Sequence, residues 1–332
     1  MTYKQEFQNQ NAKKLQSKFE EYAVPDFIRG YFFTLKSDYN RLVTFYKLNK
    51  FFKWLMVKAY VKAKDISELS PDDFDRLKMN HIAEYLECLR IGSDALGVCS
   101  VNTLCSIKNS LSSFWSYLER NDYVETNVVQ KISRSSYRLE YENKITVLSD
   151  NDISELLSNI RKSGIRKNDF CVARNVAIVK LLLGSGVRIT ELIGLDICDI
   201  HLDENFPYIN VVLKGDTYKK KSVFISNTAK EAMRNYLDAR NEYLCGADCD
   251  AIFVSNRKKR ITKANVEDMI KRYSKGKFTP HNMRDTVGTR IYAKNKDIKA
   301  AQMQLNHASP DTTSKYYIAY TQQMVAATII DL

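Results

Sequence analysis

Thr279-Pro280-His281-Asn282-Met283-Arg284, followed by Leu305-Asn306-His307-Ala308-Ser309 and, nine residues after that histidine, Tyr316, is the stretch on which the reading turns. Far upstream, Gly184-Ser185-Gly186-Val187-Arg188-Ile189-Thr190-Glu191-Leu192 adds a second arginine. Together they gather two arginines, two histidines and a tyrosine in a chain with only 4 histidines. Arginine is always charged and its planar fork matches two phosphate oxygens, so a pair of them can clamp the charge that grows on a phosphodiester under attack. A tyrosine hydroxyl can supply the nucleophile. Pro280 opens a helix, which puts His281 and Arg284 one turn apart in its first turn, where the positive end of the helix dipole favours phosphate. Gly184 to Val187 reads as a flexible turn that lets Arg188 point out of a helical core. Ser309-Pro310-Asp311 caps the next helix, which carries Tyr316, Tyr317 and Tyr320. Taken singly, each of these residues has an ordinary reading as a surface arginine, a helix-end histidine or one tyrosine among 20.

The order Arg188, Lys214, His281-x-x-Arg284, His307, Tyr316 resembles the active site of the tyrosine recombinases, the lambda-integrase-like enzymes that include the bacterial Xer proteins. Arg174-Asn175-Val176-Ala177-Ile178 through Leu195 resembles the family's first conserved block, and the stretches at Thr279 and Leu305 its second. Asn102-Thr103, leading a helix that ends Phe114-Trp115-Ser116-Tyr117-Leu118, has the family's look as well, and the likeness spans residues 25 to 325 or so. Each motif is weak alone, and their combination is specific.

The resemblance implies a mainly α fold: a helical N-terminal DNA-binding domain, and a mixed α+β catalytic domain with a small antiparallel sheet, closing as a clamp around duplex DNA. It implies transesterification, in which Tyr316 attacks a phosphodiester to leave a 3′-phosphotyrosyl link and a 5′-hydroxyl. Lys214 is then the acid for the leaving oxygen, with Lys219, Lys220 and Lys221 as rivals on the same hairpin. His307 donates to a nonbridging oxygen, and Glu191 holds the turn rather than the substrate. No ATP, cofactor or metal is implied. The implied partners are double-stranded DNA at specific paired sites and further copies of the chain, as a homotetramer joined by exchange of the C-terminal tail. Two positions depart from the pattern: Asp285 stands where the family often has a second histidine, and Asn306 where it usually has glycine. A type IB topoisomerase would use much the same residues to relax supercoils. A non-catalytic DNA-binding protein on a decayed recombinase fold is the alternative from another class.

Composition fits this without requiring it. The 332 residues are enough for two domains, and 44% hydrophobic content is ample for packed cores. A net charge of +12 and a pI near 9.2 suit a polyanionic partner, because each neutralised phosphate releases counterions. The 7 cysteines are an odd number with no CxxC, and read as reduced, mostly buried thiols of a cytoplasmic, nucleoid-associated protein. The N-terminus lacks an apolar core segment and the longest apolar runs are broken by charge, as at Lys180, so neither export nor membrane insertion is expected.

Along the chain, residues 1–24 read as a leader helix or loose tail and 25–132 as a helical DNA-binding domain. The basic stretch at 133–146 reads as a linker, 147–320 as the catalytic domain and 321–332 as an apolar tail helix. Ser70-Pro71-Asp72-Asp73 and Ser149-Asp150 are helix starts. Tyr208 to Leu213 and Ser222 to Ile225, flanking Lys214-Gly215-Asp216, predict a β-hairpin, and Ile252-Phe253-Val254 a short strand.

Overall fold

A computed structural model describes residues 3–132, 146–163, 169–213 and 219–306. Lys214, His307, Tyr316, Tyr317, Tyr320, most of the linker and the C-terminal tail lie outside these residues. The fold is mainly α, with a small antiparallel sheet, and the chain divides into two compact units, Tyr3–Glu142 and Asn143–Leu332.

The first unit is helical throughout: α1 (Tyr3–Glu21), α2 (Asp26–Phe33), α3 (Asp38–Val57), α4 (Pro71–Asp75), α5 (Met79–Ile91) and α6 (Val101–Arg120), with a 3-10 turn at Ile66–Glu68. Local chemistry sets the starts. Ser37 Oγ accepts from the Asn40 amide and Ser100 Oγ from that of Thr103, while the Asp73 carboxylate accepts from Ser70 N and Oγ. In α6 the apolar residues Leu104, Ile107, Leu111, Phe114, Trp115 and Leu118 recur at helical spacing and all are buried. They meet an aromatic cluster in which Phe51 lies edge-on to Tyr85, with centroids 4.9 Å apart, and to Trp115 at 5.9 Å. The leading helix α1 is part of this core, because Leu15 and Phe19 are buried and Phe19 packs on Phe32 and Phe45. The connector after α5 is tied down by Asp94, which accepts from Trp54 Nε1 at 3.1 Å and Cys88 Sγ at 3.1 Å and pairs with Lys58 at 3.0 Å. These donors, the thiol foremost, hold its carboxyl down at about 2.

The second unit contains α7 (Asp150–Lys162), α8 (Asp169–Ser185), α9 (Ile189–Ile193), a 3-10 turn at Ile197–Asp199, β1 (Ile200–His201), β2 (Tyr208–Val212), β3 (Lys220–Phe224), α10 (Asn227–Leu244), α11 (Lys263–Tyr273), α12 (Pro280–Asn295) and α13 (Ile298–Leu305). The capping box at Ser149 and Asp152 starts α7 as its sequence predicts. The sheet runs β1-β2-β3, all antiparallel, and the hairpin register pairs Tyr208 with Phe224 and Val212 with Lys220. Ile209, Val211 and Val223 point to the core.

Three expectations need correction. Ile252 to Val254 is no sheet strand, since only isolated bridges form there, Asp196 to Ala251 and Val254 to Arg260. Side chains and loop backbone share its polar groups instead: Arg240 donates to the Ala251 and Ile252 carbonyls, Tyr236 Oη to Ile252 O, and Arg174 to Val254 O, while Ile252 N donates to Leu195 O and Ile261 N to Phe253 O. Gly184 and Ser185 belong to α8 rather than to a flexible turn. A Cβ at Gly184 would lie 2.4 Å from Ser226 Oγ and 2.8 Å from Ala229 Cβ, so this glycine is needed for close approach of α10. Finally, all seven cysteines are free thiols but only Cys88 is buried, while Cys198 and Cys245 are exposed. Among the described residues no helix is long and apolar enough to cross a membrane.

Candidate active site

Three of the six residues singled out by sequence, Arg188, His281 and Arg284, are among the described residues; the fold ties Arg284 to the turn that leads into Arg188 and sets His281 one helical turn from Arg284. Arg188 occupies the N-cap of α9 with extended backbone, φ −72° and ψ 150°. Glu191, buried one turn into that helix, accepts from Arg188 N at 2.8 Å through one carboxylate oxygen and from Arg188 Nη1 at 2.8 Å through the other. The carboxylate therefore fixes both the turn and the guanidinium, which is the role expected of it. The Arg188 side chain stays 27% exposed against 4% for Glu191. A charge-assisted pair of this kind orients the arginine fork without withdrawing it from solvent.

Arg284 is held differently. It lies in the first turns of α12, whose N-cap Thr279 accepts from Asn282 N, and it is only 3% exposed. Its Nη1 donates to the carbonyl of Gly186 and its Nη2 to the carbonyl of Leu305. The first bond ties it to the turn two residues before Arg188. The second ties it to the end of α13, immediately before Asn306 and His307. One side chain thus joins three segments that are distant in sequence.

Glycine is required where they meet. Gly186 has φ +73°, and a Cβ there would stand 2.5 Å from Leu305 Cδ2 and 3.1 Å from Val287 Cγ1. Gln304 strengthens the junction by donating to the Ser185 carbonyl at 2.9 Å and to the Phe224 carbonyl at 2.8 Å. Asn306 adopts φ 50° and ψ 50° at the C-cap of α13. Asparagine thus takes the left-handed role that the sequence assigns to it.

His281 lies on the exposed side of the same helix turn, its side chain 69% exposed, and its Nε2 is 3.7 Å from Oδ2 of the buried Asp285. The two groups one turn apart therefore do different work: the arginine braces the site from inside, and the imidazole faces outward.

The hairpin loop with Lys214 lies outside the described residues, but one rival lysine is accounted for. Lys220 pairs with the buried Asp199 carboxylate, and that hydrogen bond holds its ammonium above its ordinary range. A proton donor works best with an affinity near the operating pH, so this pairing makes Lys220 a poor acid. Asp199 and Gln304 were not singled out by sequence. Asp199 and Gln304 carry no motif signal, whereas Asp285 was visible as a departure from the family's pattern.

Residues 146–323 match the phage integrase family. The tyrosine recombinase XerS of Streptococcus thermophilus (strain ATCC BAA-491 / LMD-9) is 30% identical over 344 residues, covering 91% of this chain and 94% of that protein. Among solved structures, the XerH site-specific recombinase bound to a palindromic difH substrate, a post-cleavage complex, aligns with a TM-score of 0.61 at 22% identity over 77% of this chain and 73% of its own. A lambda integrase dimer bound to a COC′ core site aligns with a TM-score of 0.53 at 19% identity over 73% of this chain and 65% of its own. At these identities the two structures speak for the fold.

Proposed function

Because the chain belongs to the phage integrase family, the tyrosine recombinases, which break and rejoin DNA, we propose that it is a site-specific recombinase acting on paired sites in duplex DNA through a 3′-phosphotyrosyl intermediate. The observation that carries this reading is the Arg284 brace. It holds the Arg188 turn, the first turn of α12 and the end of α13 together, which supports a reading in which Arg188, Arg284 and the exposed His281 serve one phosphate.

In this reading residues 25–132 bind DNA and residues 147–320 carry the chemistry. Tyr316 attacks phosphorus, and Lys214 protonates the 5′-oxygen as it leaves. Arg188, Arg284 and His307 stabilise the nonbridging oxygens, and His281 takes the phenolic proton of Tyr316. The bond energy stays in the phosphotyrosyl link, and a 5′-hydroxyl from a partner duplex reverses the step. The apolar tail at 321–332, with Met324, Ala327, Ile330 and Leu332 at helical spacing, docks on a neighbouring copy and assembles four protomers on the paired sites.

Mapping the covalent protein–DNA links in the host genome gives the site, and two duplexes carrying it then test the function. The expected product is reciprocal exchange of flanking sequence. Relaxation of supercoiled plasmid without joining would identify a topoisomerase, and binding without a covalent link a non-catalytic protein.

Lys214→Ala should lose cleavage of ordinary DNA by about 10²–10⁴-fold, the contribution typical of a general acid. It should recover on a substrate with sulfur at the 5′-bridging position, which leaves without a proton, whereas Arg188→Ala should not. Rescue of Lys219→Ala or Lys221→Ala, with none at Lys214, would move the acid along the hairpin.

A further inference from the structure

Asp285, the position after the second arginine, is one of the two at which the sequence departs from the family's pattern, and the structure sets it beside His281. Asp285 lies four residues after His281 on α12, so both side chains fall on neighbouring faces one turn apart. The Asp285 side chain is 6% exposed and that of His281 69%, with Oδ2 and Nε2 3.7 Å apart. A carboxylate buried behind an exposed imidazole has a definite electrostatic effect. It favours a positive charge on the ring.

We propose that Asp285 is a positioning residue that turns Nε2 of His281 into the protein, presents Nδ1 to the substrate, and stabilises the imidazolium formed during cleavage. The proposal rests on the reading of His281 as the proton acceptor. As the Tyr316 oxygen bonds to phosphorus, its proton passes to Nδ1 of His281. The bond from phosphorus to the 5′-oxygen breaks, and that oxygen takes its proton from Lys214. Asp285 keeps its charge throughout, as the orienting carboxylate of a catalytic triad does.

Several charged groups on α12 and its neighbours have partners of their own. Arg284 adjoins Asp285 and is bonded to the Gly186 and Leu305 carbonyls, and Arg188 is paired with Glu191. Further along α12, Arg290 pairs with Asp150 of α7. On α8, Arg174 is bonded to Val254 and Asn256. The lysine of α13, Lys299, lies at the opposite end of that helix from Leu305.

The test is single-turnover cleavage by the full chain on a nicked suicide duplex, followed against pH. Asp285→Asn should slow the plateau about 10- to 100-fold, within the range for general acid–base groups. It should also move the acidic limb of the profile about one unit lower, since an opposite charge at this distance has been removed. Asp285→Glu should restore both. A plateau that falls while the limb stays in place makes Asp285 merely structural and overturns the proposal. If Asp285→Asn does not fold, the His281 imidazole in the wild-type protein is titrated by NMR. A midpoint above the ordinary histidine value of about 6.5 upholds the proposal, and one at or below it overturns it. His281→Ala with an unchanged rate and limb would instead remove the reading of the site on which the proposal stands.

Discussion

Tyr316→Phe is expected to lose covalent attachment to DNA altogether, with strand cleavage down by about 10⁴-fold or more, the scale on which loss of a nucleophile is felt. Only one oxygen is deleted, so affinity for the site, measured by gel shift, should stay close to wild type. Tyr317 and Tyr320 are the rivals on the same segment. On a helix Tyr317 points about 100° away from Tyr316, and Tyr320 lies a full turn further on. Tyr317→Phe and Tyr320→Phe should therefore keep the adduct. A protease-sensitive adduct formed by Tyr316→Phe would reassign the nucleophile.

The arginines should separate from one another in a way that sequence alone does not anticipate. Arg188→Ala and Arg284→Ala should each slow cleavage by about 10²–10³-fold, or 2.7–4 kcal/mol, the usual loss for a donor to a transition-state oxyanion. Arg284→Ala should in addition lower the thermal midpoint markedly. Its guanidinium satisfies two main-chain carbonyls inside the protein, and each buried acceptor left without a donor costs about 1–3 kcal/mol. Arg188 is partly exposed and bonded chiefly to Glu191, whose other oxygen keeps the bond from the Arg188 amide, so its removal should cost less stability. Binding to DNA should fall far less than cleavage in both variants, given the other basic residues available. Equal losses of binding and cleavage would make these residues ordinary phosphate contacts.

Much of this was written in local sequence. The helix starts at Ser70, Ser149 and Thr279 could be read because capping is a matter of three or four adjacent residues. The hairpin could be read from two apolar runs around Lys214-Gly215-Asp216. What escaped depends on partners distant in the chain. β1 is two residues long and exists because Ile200 and His201 pair with Ile209 and Tyr208. The run Ile252 to Val254 has strand composition, yet buried side chains of Arg240, Tyr236 and Arg174, with the loop backbone at Leu195 and Ile261, supply the partners that a neighbouring strand would have given. Gly184 read as part of a flexible turn because a glycine's need for close approach is invisible until α10 is in place.

The site divides along the same line. The identities of Arg188, His281 and Arg284 were legible as residue types at a spacing. That one arginine braces the interior while the histidine faces solvent follows only from burial. Asp285 was visible as an anomaly, and its place behind His281 emerged with the helix that carries both. The pairing of Lys220 with Asp199 likewise needed the turn before β1 to be placed against β3.

The most direct measurement is to trap the protein on a nicked suicide duplex, digest it, and identify by mass spectrometry the peptide that carries the nucleotide. The account predicts a single tyrosine phosphodiester at Tyr316, linked to a DNA 3′ end, with a free 5′-hydroxyl on the released strand. A nucleotide on any other residue, a 5′ linkage, or no covalent peptide from protein that binds and bends the same duplex would contradict it.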